Sequence, residues 1–349
     1  MSSTVAVDLA KSVFQLAVAN RAGRIVQRHR FSRGQFAEFL RAAAPAHVVM
    51  EACGTAHYWG RLAQQAGHRV TLLPPRYVRP YVRRDKSDRA DAEALLEALR
   101  NPAIKPVPVK SVAQQELVAL HRIRDQWMAT RTARLNALRG MLREHGIILA
   151  TGARRALAEL PLLLADAATP LPTCLRHSLA ALYDEIRQLE DRVATLEQDL
   201  ERLAAPDPVT QRLQTIPGIG LLTATAVRGT VANIHTFRRA RQFASWVGLT
   251  SRERSSGNRR RLGAITKQGD VYLRYLLTHG ARAVLLAAQR ASAAGKNLTR
   301  LQQWAVTVAQ RCGHNRATIA VANKLARIVW AVWAREQPFA PRPALPAAA

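Results

Sequence analysis

The first 73 residues alternate between short apolar runs and helical segments, and the order of that alternation most limits what the chain can become. Residues 4–9 (TVAVDL) and 13–19 (VFQLAVA) are apolar runs of strand length with a tight connection. Residues 24–31 (RIVQRHRF) alternate as a half-exposed third strand does. Ser32 is placed to cap a helix that turns Phe36, Phe39 and Leu40 inward. Residues 47–50 read as a fourth strand closing at Glu51, residues 58–66 as a helix, and residues 69–73 as a fifth strand stopped by Pro74 and Pro75.

The order β-β-β-α-β-α-β is that of a ribonuclease-H-like domain, with a mixed sheet and helices on its faces. That sheet puts Asp8, near the end of the first strand, next to Glu51, at the end of the fourth. A loop over residues 74–87 leads to RRDKSDRAD, residues 83–91, where Asp85, Asp88 and Asp91 recur every third residue among Arg and Lys. The pattern from Asp88 to Arg100 is amphipathic and helical, so Asp88 and Asp91 share a face one turn apart. Like charges so placed invite a hard divalent cation such as Mg²⁺. The plainer reading is a solvated helix start, with acids favoured in the first turn. Asp8, Glu51, Asp88 and Asp91 together at one sheet edge predict a two-metal site for phosphoryl transfer.

The remainder reads as all-α. Residues 112–148 are helical and carry many arginines. After Pro170 and Pro172, residues Leu182, Ile186, Leu189, Val193, Leu196, Leu200 and Leu203 form a heptad seam. It suits either a coiled coil between subunits or a helical hairpin folding back on residues 112–148. Residues 213–229 (LQTIPGIGLLTATAVRG) have the helix-hairpin-helix pattern, with Gly218 and Gly220 able to bring backbone N–H groups close to a phosphate. Further helices are predicted over residues 237–249, after Asp270, and over residues 300–311 and 315–335, with Trp304, Trp330 and Trp333 in the core. The expected divisions are a catalytic domain at 1–108, a helical or coiled-coil region at 109–205, a C-terminal domain at 206–337 and a disordered tail at 338–349.

Charge narrows the function. Fifty-two Lys and Arg against 24 Asp and Glu give a formal net charge of +28, the footprint of a protein that grips nucleic-acid phosphates. Cys53, Cys174 and Cys312 form no paired motif, so neither a zinc site nor a disulfide framework is expected. The N-terminus lacks a secretory leader and no apolar run reads as membrane-spanning, which predicts a cytoplasmic protein without a membrane partner. Residues 251–270 are a basic segment with Arg252, Arg254, Arg259, Arg260, Arg261 and Lys267 around Ser255-Ser256-Gly257. A hydroxyl among guanidinium groups suits a phosphoryl nucleophile. A flexible loop that merely touches the nucleic-acid backbone is the simpler alternative.

The segments VAVDLAKSVFQLAV, MEACGTAHYW and the K-S-D-x-x-D core at residues 86–91, with TIPGIGLLTATAV and FASWVGLTSRERSSGNRRRLGAITKQGDVYLRYLLTHGARAV, resemble the insertion-sequence-110 transposases over residues 4–335. LLTHGARA looks most like the 1111 subgroup. The resemblance implies a RuvC-like N-terminal domain, a coiled-coil middle and a C-terminal transposase domain. It implies a catalytic, metal-binding tetrad of Asp8, Glu51, Asp88 and Asp91, and a serine that links covalently to DNA, placed on Ser256 with Ser255 second. It further implies donor and target DNA, a guide (bridge) RNA that supplies sequence specificity, and a homo-oligomer, dimer or tetramer. Many relatives read S-S-G-G where this chain has Asn258, which bears on the loop's geometry. Two rival readings remain: a RuvC-like junction nuclease in which water attacks, and a nucleic-acid-binding protein without catalysis.

Overall fold

The computed structural model describes residues 3–82 and 88–343, without the side chains of residues 88–90. The stretch 83–87, with Asp85, and residues 344–349 lie outside the described residues. The chain divides into two compact units, Met1–Gln115 and Glu116–Ala349.

In the first unit, β1 (Thr4–Leu9), β2 (Val13–Ala19), β3 (Ile25–Ser32), β4 (His47–Glu51) and β5 (Arg69–Leu73) form one sheet in the order β3-β2-β1-β4-β5. The first three strands are antiparallel; β4 and β5 run parallel to β1. α1 (Arg33–Ala42) opens with a capping box in which Ser32 and Gln35 satisfy each other's backbone N–H. α2 (Ala56–Gln65) links β4 to β5. Side chains alternate across the sheet. Val5, Val7, Phe14, Leu16, Val48 and Met50 pack against Phe36, Leu40 and Trp59 on one face. Phe14 meets Phe36 and Trp59 edge-on at 5.3 and 5.1 Å between centroids, and burying each such ring contributes about 1.5–3 kcal/mol. The opposite face is lined by small residues, Ala6, Ala17 and Ala19 beside Val49. The loop expected over residues 74–87 instead holds a short helix, α3 (Pro75–Val78), and a 3₁₀ turn at Arg79–Tyr81. After it α4 (Asp88–Leu99) lies on the small-residue face through Ala92, Leu95 and Ala98. Alanines on both sides let the helix come close to the strands.

α5 (Val112–Glu144) begins in the first unit and continues through the second. Within the second unit it pairs with α7 (Thr173–Ala204) as an antiparallel hairpin. Arg124 meets Glu197 at 2.6 Å, Arg131 meets Glu190, and Arg134 meets Glu185 at 2.9 Å, so the numbers run in opposite directions. Leu135, Leu138 and Leu142 pack with Leu179 and Ile186 near the turn. Of the two readings of the heptad seam, the chain adopts the hairpin. Its buried positions are Ile186, Leu189, Val193, Leu196 and Leu200; Leu203 is about one-third exposed, at 37%. α6 (Ala153–Ala165), which carries Pro161, closes the hairpin; the proline hides it from a periodicity reading.

α8 (Pro208–Gln214), α9 (Leu221–Thr230), α10 (Ala240–Trp246), α11 (Val271–Ala293), α12 (Arg300–Cys312) and α13 (His314–Ala334) enclose the largest core. α13 is long and apolar enough to span a membrane by length and composition. Ala317, Val321, Leu325, Val329 and Trp333 are instead buried in that core, with Trp304 and Trp330 partly buried against it. Residues 338–343, expected to be disordered, are docked. Phe339 packs on the core and its N–H donates to Thr215 Oγ1 at 2.8 Å, while Pro343 bridges to Thr299.

Candidate active site

β1 and β4 pair in parallel with Ala6 opposite Val49 and Val7 opposite Met50. Continuing the offset by one residue sets Asp8 beside Glu51. Period-two alternation places Asp8 with Ala6, and Glu51 with Val49, on the face that α4 covers. On α4 the buried stripe through Leu95 and Ala98 runs back to Asp91, one turn toward the helix start from Leu95. The strand ends and the helix start thus bring Asp8, Glu51 and Asp91 to one edge. The side chain of Asp88 lies outside the described residues.

Electrostatics agree with this geometry. The Glu51 carboxyl is pushed above its ordinary value by burial first and by the Asp91 charge second, with Arg79 opposing. For this half-withdrawn carboxylate facing another, Arg79 offsets only part of the burden, which is the condition a divalent cation relieves. Among the described residues no three His, Cys, Asp or Glu side chains form a metal cluster, so Asp8, Glu51 and Asp91 share a sheet edge without closing to a ligand set. The donor set of oxygens without nitrogen or sulfur fits Mg²⁺ or a similarly hard ion.

The serine segment is not the featureless loop its composition suggests. β6 (Ser251–Glu253) and β7 (Leu262–Ile265) make a two-stranded ribbon. Gly248 and Gly269 let the legs of this ribbon touch backbone to backbone: a Cβ on Gly248 would strike Gln268, and one on Gly269 would strike Trp246. Both adopt left-handed φ, 81° and 79°. Arg274 on α11 donates to the Val247 and Gln268 carbonyls, both at 2.9 Å, and ties the base to the core. Lys267 also sits at positive φ, 54°, and its N–H donates to the Gly248 carbonyl, so it helps shape this base.

At the tip, Arg259 N–H donates to the Ser256 carbonyl at 3.2 Å. Gly257 has φ of 55°, whereas Asn258 is not among the positive-φ residues, the pattern of a II′ turn. The conformational demand falls on the glycine that the chain retains, so Asn258 costs the turn nothing. Ser255, Ser256, Arg254, Arg259 and Arg261 are all exposed. Arg252 donates to the Thr266 carbonyl at 3.2 Å, and Arg260 donates to Glu253 at the same distance.

Gly218 and Gly220 play different parts in the connection between α8 and α9. Gly218 has φ of 81°, and a Cβ there would meet the Gly280 carbonyl oxygen at 2.6 Å; packing against α11 accounts for it. Gly220 is exposed, faces open space and is the N-cap of α9, so it presents the helix's first N–H groups outward.

Two family models match this chain: a DEDD transposase model of the IS110 type over residues 5–147, and one described as the IS116/IS110/IS902 transposase family over residues 210–296. A probable family 20 transposase of Pseudomonas aeruginosa is 42% identical over 340 residues, spanning 97% of this chain and 99% of the relative. The chain belongs to the IS110 family of transposases. The transposase of insertion sequence element IS1111A from Coxiella burnetii is 40% identical, over 95% of this chain and 90% of its own. A pilin gene-inverting protein of Moraxella bovis is 27% identical over 84% of this chain and 81% of its own. This transposase is therefore an enzyme that cuts and joins DNA, and its DEDD domain implies a divalent metal.

Two residues of the candidate sites escape sequence reasoning. Arg79 acts on Glu51 from a turn that looks like loop. Glu253 stands among arginines, and only its spacing of two from Ser255 hints that both lie on one side of a strand.

Proposed function

We propose that this transposase is a site-specific recombinase that excises and inserts its own insertion sequence through a metal-binding acidic site and a serine nucleophile. The observation that supports the reading is the placing of Asp8, Glu51 and Asp91 along one edge of a sheet whose order, β3-β2-β1-β4-β5, is the one expected of a ribonuclease-H-like, RuvC-type domain. Asp8, Glu51, Asp88 and Asp91 would hold Mg²⁺, two ions by charge. Bound there, the metal supplies charge neutralisation at the phosphate under attack. The serine comes from the exposed tip of the β6–β7 ribbon, where guanidinium groups suit phosphate oxygens. Ser256 Oγ attacks a backbone phosphorus, a serine–phosphate ester forms, and the departing deoxyribose hydroxyl takes up the proton. Attack by the hydroxyl of the exchanged strand reverses the step and frees the serine. No external energy is needed because one phosphodiester bond is exchanged for another.

The α8–α9 connection is read as a helix-hairpin-helix that holds the DNA backbone through the N–H groups after Gly220. A guide RNA and a homo-oligomer are proposed on the family resemblance, with the net charge of +28 consistent with the RNA. The test uses a plasmid carrying the element with its flanking DNA, with resealed junctions counted by amplification. Asp8→Ala and Ser256→Ala are each expected to lose junctions by at least about a thousandfold, as loss of a group made for the transition state does. Strand exchange retained in Ser256→Ala rejects serine chemistry and leaves the junction nuclease. Unchanged activity in Asp8→Ala makes the acidic edge structural. RNA recovered with the purified protein, and sedimentation of that protein, test the guide and the oligomer.

A further inference from the structure

Glu253 is the one acid between residues 251 and 269, a stretch with five arginines and a lysine. Five guanidinium groups on a short, exposed two-stranded ribbon repel one another, and such a ribbon is marginal by itself. Glu253 Oε1 accepts from Ser255 Oγ at 2.8 Å and from Arg260 Nε at 3.2 Å. Ser255 Oγ in turn accepts the Arg261 N–H at 3.2 Å, and the Arg254 N–H donates to the Arg261 carbonyl at 2.9 Å. One carboxylate therefore joins both arms of the ribbon just below the turn that carries Ser256. The Ser255 hydroxyl is engaged both as donor and as acceptor in this arrangement, whereas Ser256 projects beyond it.

We propose that Glu253 is a positioning residue, a clasp that uses Ser255 and Arg260 to set the tip so that Ser256 faces the phosphate. The proposal rests on the serine reading above. The carboxyl of Glu253 is held below its ordinary value, by the Ser255 hydroxyl first and by Arg260 next. A carboxylate so satisfied is a poor proton acceptor, which separates orienting Ser255 from activating it. The clasp also withdraws Arg260 from the phosphate-facing set and leaves Arg254, Arg259 and Arg261 for that role.

Two measurements on the full-length protein test the clasp. The first is amide hydrogen exchange without DNA. Glu253→Ala and Ser255→Ala should each speed exchange at Arg254 and Arg261 by roughly tenfold or more, while Glu253→Gln, which keeps an acceptor for Ser255, does so less. The second is the yield of covalent protein–DNA adduct on the element-bearing plasmid. Glu253→Ala and Ser255→Ala should each lower it by roughly tenfold, Glu253→Gln should recover part of the loss, and the double variant should be no worse than either single one. The melting temperature stays at the wild-type value in all of them.

Unchanged exchange in Glu253→Ala overturns the clasp whatever the chemistry. A loosened tip with a normal adduct yield overturns positioning. Adduct lost in Ser255→Ala but kept in Ser256→Ala makes Ser255 the nucleophile and Glu253 its partner, which also overturns the proposal. Adduct kept in both serine variants rejects the serine reading and positioning with it, while the exchange data still report on the clasp.

Discussion

Gly280 and Gly218 show how a single hydrogen atom in place of a methyl decides packing. The Gly218 turn lies against Gly280 in the middle of α11, and a Cβ on either residue would strike the backbone of the other. Gly280→Ala would ordinarily favour a helix, by up to about 1 kcal/mol. Here it should destabilise by about 1–3 kcal/mol, the cost of overpacking, measured as a lower urea midpoint with an unchanged slope. Glu51 behaves in the opposite way. Its carboxyl is burdened by burial and by Asp91, so Glu51→Gln removes a repulsion that the fold carries. The metal-free Glu51→Gln protein should melt at or above the wild-type temperature while its junction formation is lost. A drop in melting temperature would instead make Glu51 a structural group. Asp8 and Glu51 are legible in sequence because strand ends are. Arg79 and Glu253 are not, because what they act on is set by a turn and a ribbon that composition does not reveal.

At the scale of elements, three helices of the second unit meet at a polar knot. His121 on α5 is buried, its Nδ1 lies 3.0 Å from Tyr272 Oη on α11, and its Nε2 lies 2.9 Å from Thr225 Oγ1 on α9. Burial, and after it the nearby Arg124 charge, lower its pKa from 6.5 to about 4. The unfolded chain therefore binds a proton that the folded chain refuses between those values. Stability from this group is fully present above about pH 6.5 and is lost as pH falls toward 4, by up to roughly 3 kcal/mol. Urea midpoints across this range should show that slope in the wild type, and a shallower one in His121→Gln. The helices themselves are largely legible, since most carry a 3.6-residue pattern, α6 with its Pro161 excepted. Their partnership is not. The seam of α7 is equally apolar whether it meets another chain or α5, and only the ladder from Arg124–Glu197 to Arg134–Glu185 shows which.

Over the whole molecule, 52 basic side chains against 24 acidic ones set the dominant interaction, with phosphates. Counterion release makes such binding strongly salt-dependent, with about 0.9 in the log–log slope for each phosphate contacted. Replacing Arg254, Arg259 and Arg261 together by alanine should reduce that slope by about 2–3 if each holds a phosphate, measured by titrating salt against binding to duplex DNA. A slope unchanged in the triple variant would place the phosphate contacts elsewhere.

What the sequence determined by itself was the order of elements in the first unit, the strand ends that bear Asp8 and Glu51, and the electrostatic sign of the partner. These follow from local periodicity and from summed charge, which need no tertiary contacts. Tertiary structure alone decided that α7 folds back on α5, that residues 338–343 dock, and that the serine segment is a ribbon with Ser255 clasped and Ser256 exposed. Each depends on residues far apart in the chain meeting: Arg131 with Glu190, Phe339 with Thr215, Gly248 with Gln268. Such meetings leave no period in the sequence, because apolar seams and basic loops are compatible with many partners until the packed chain selects one.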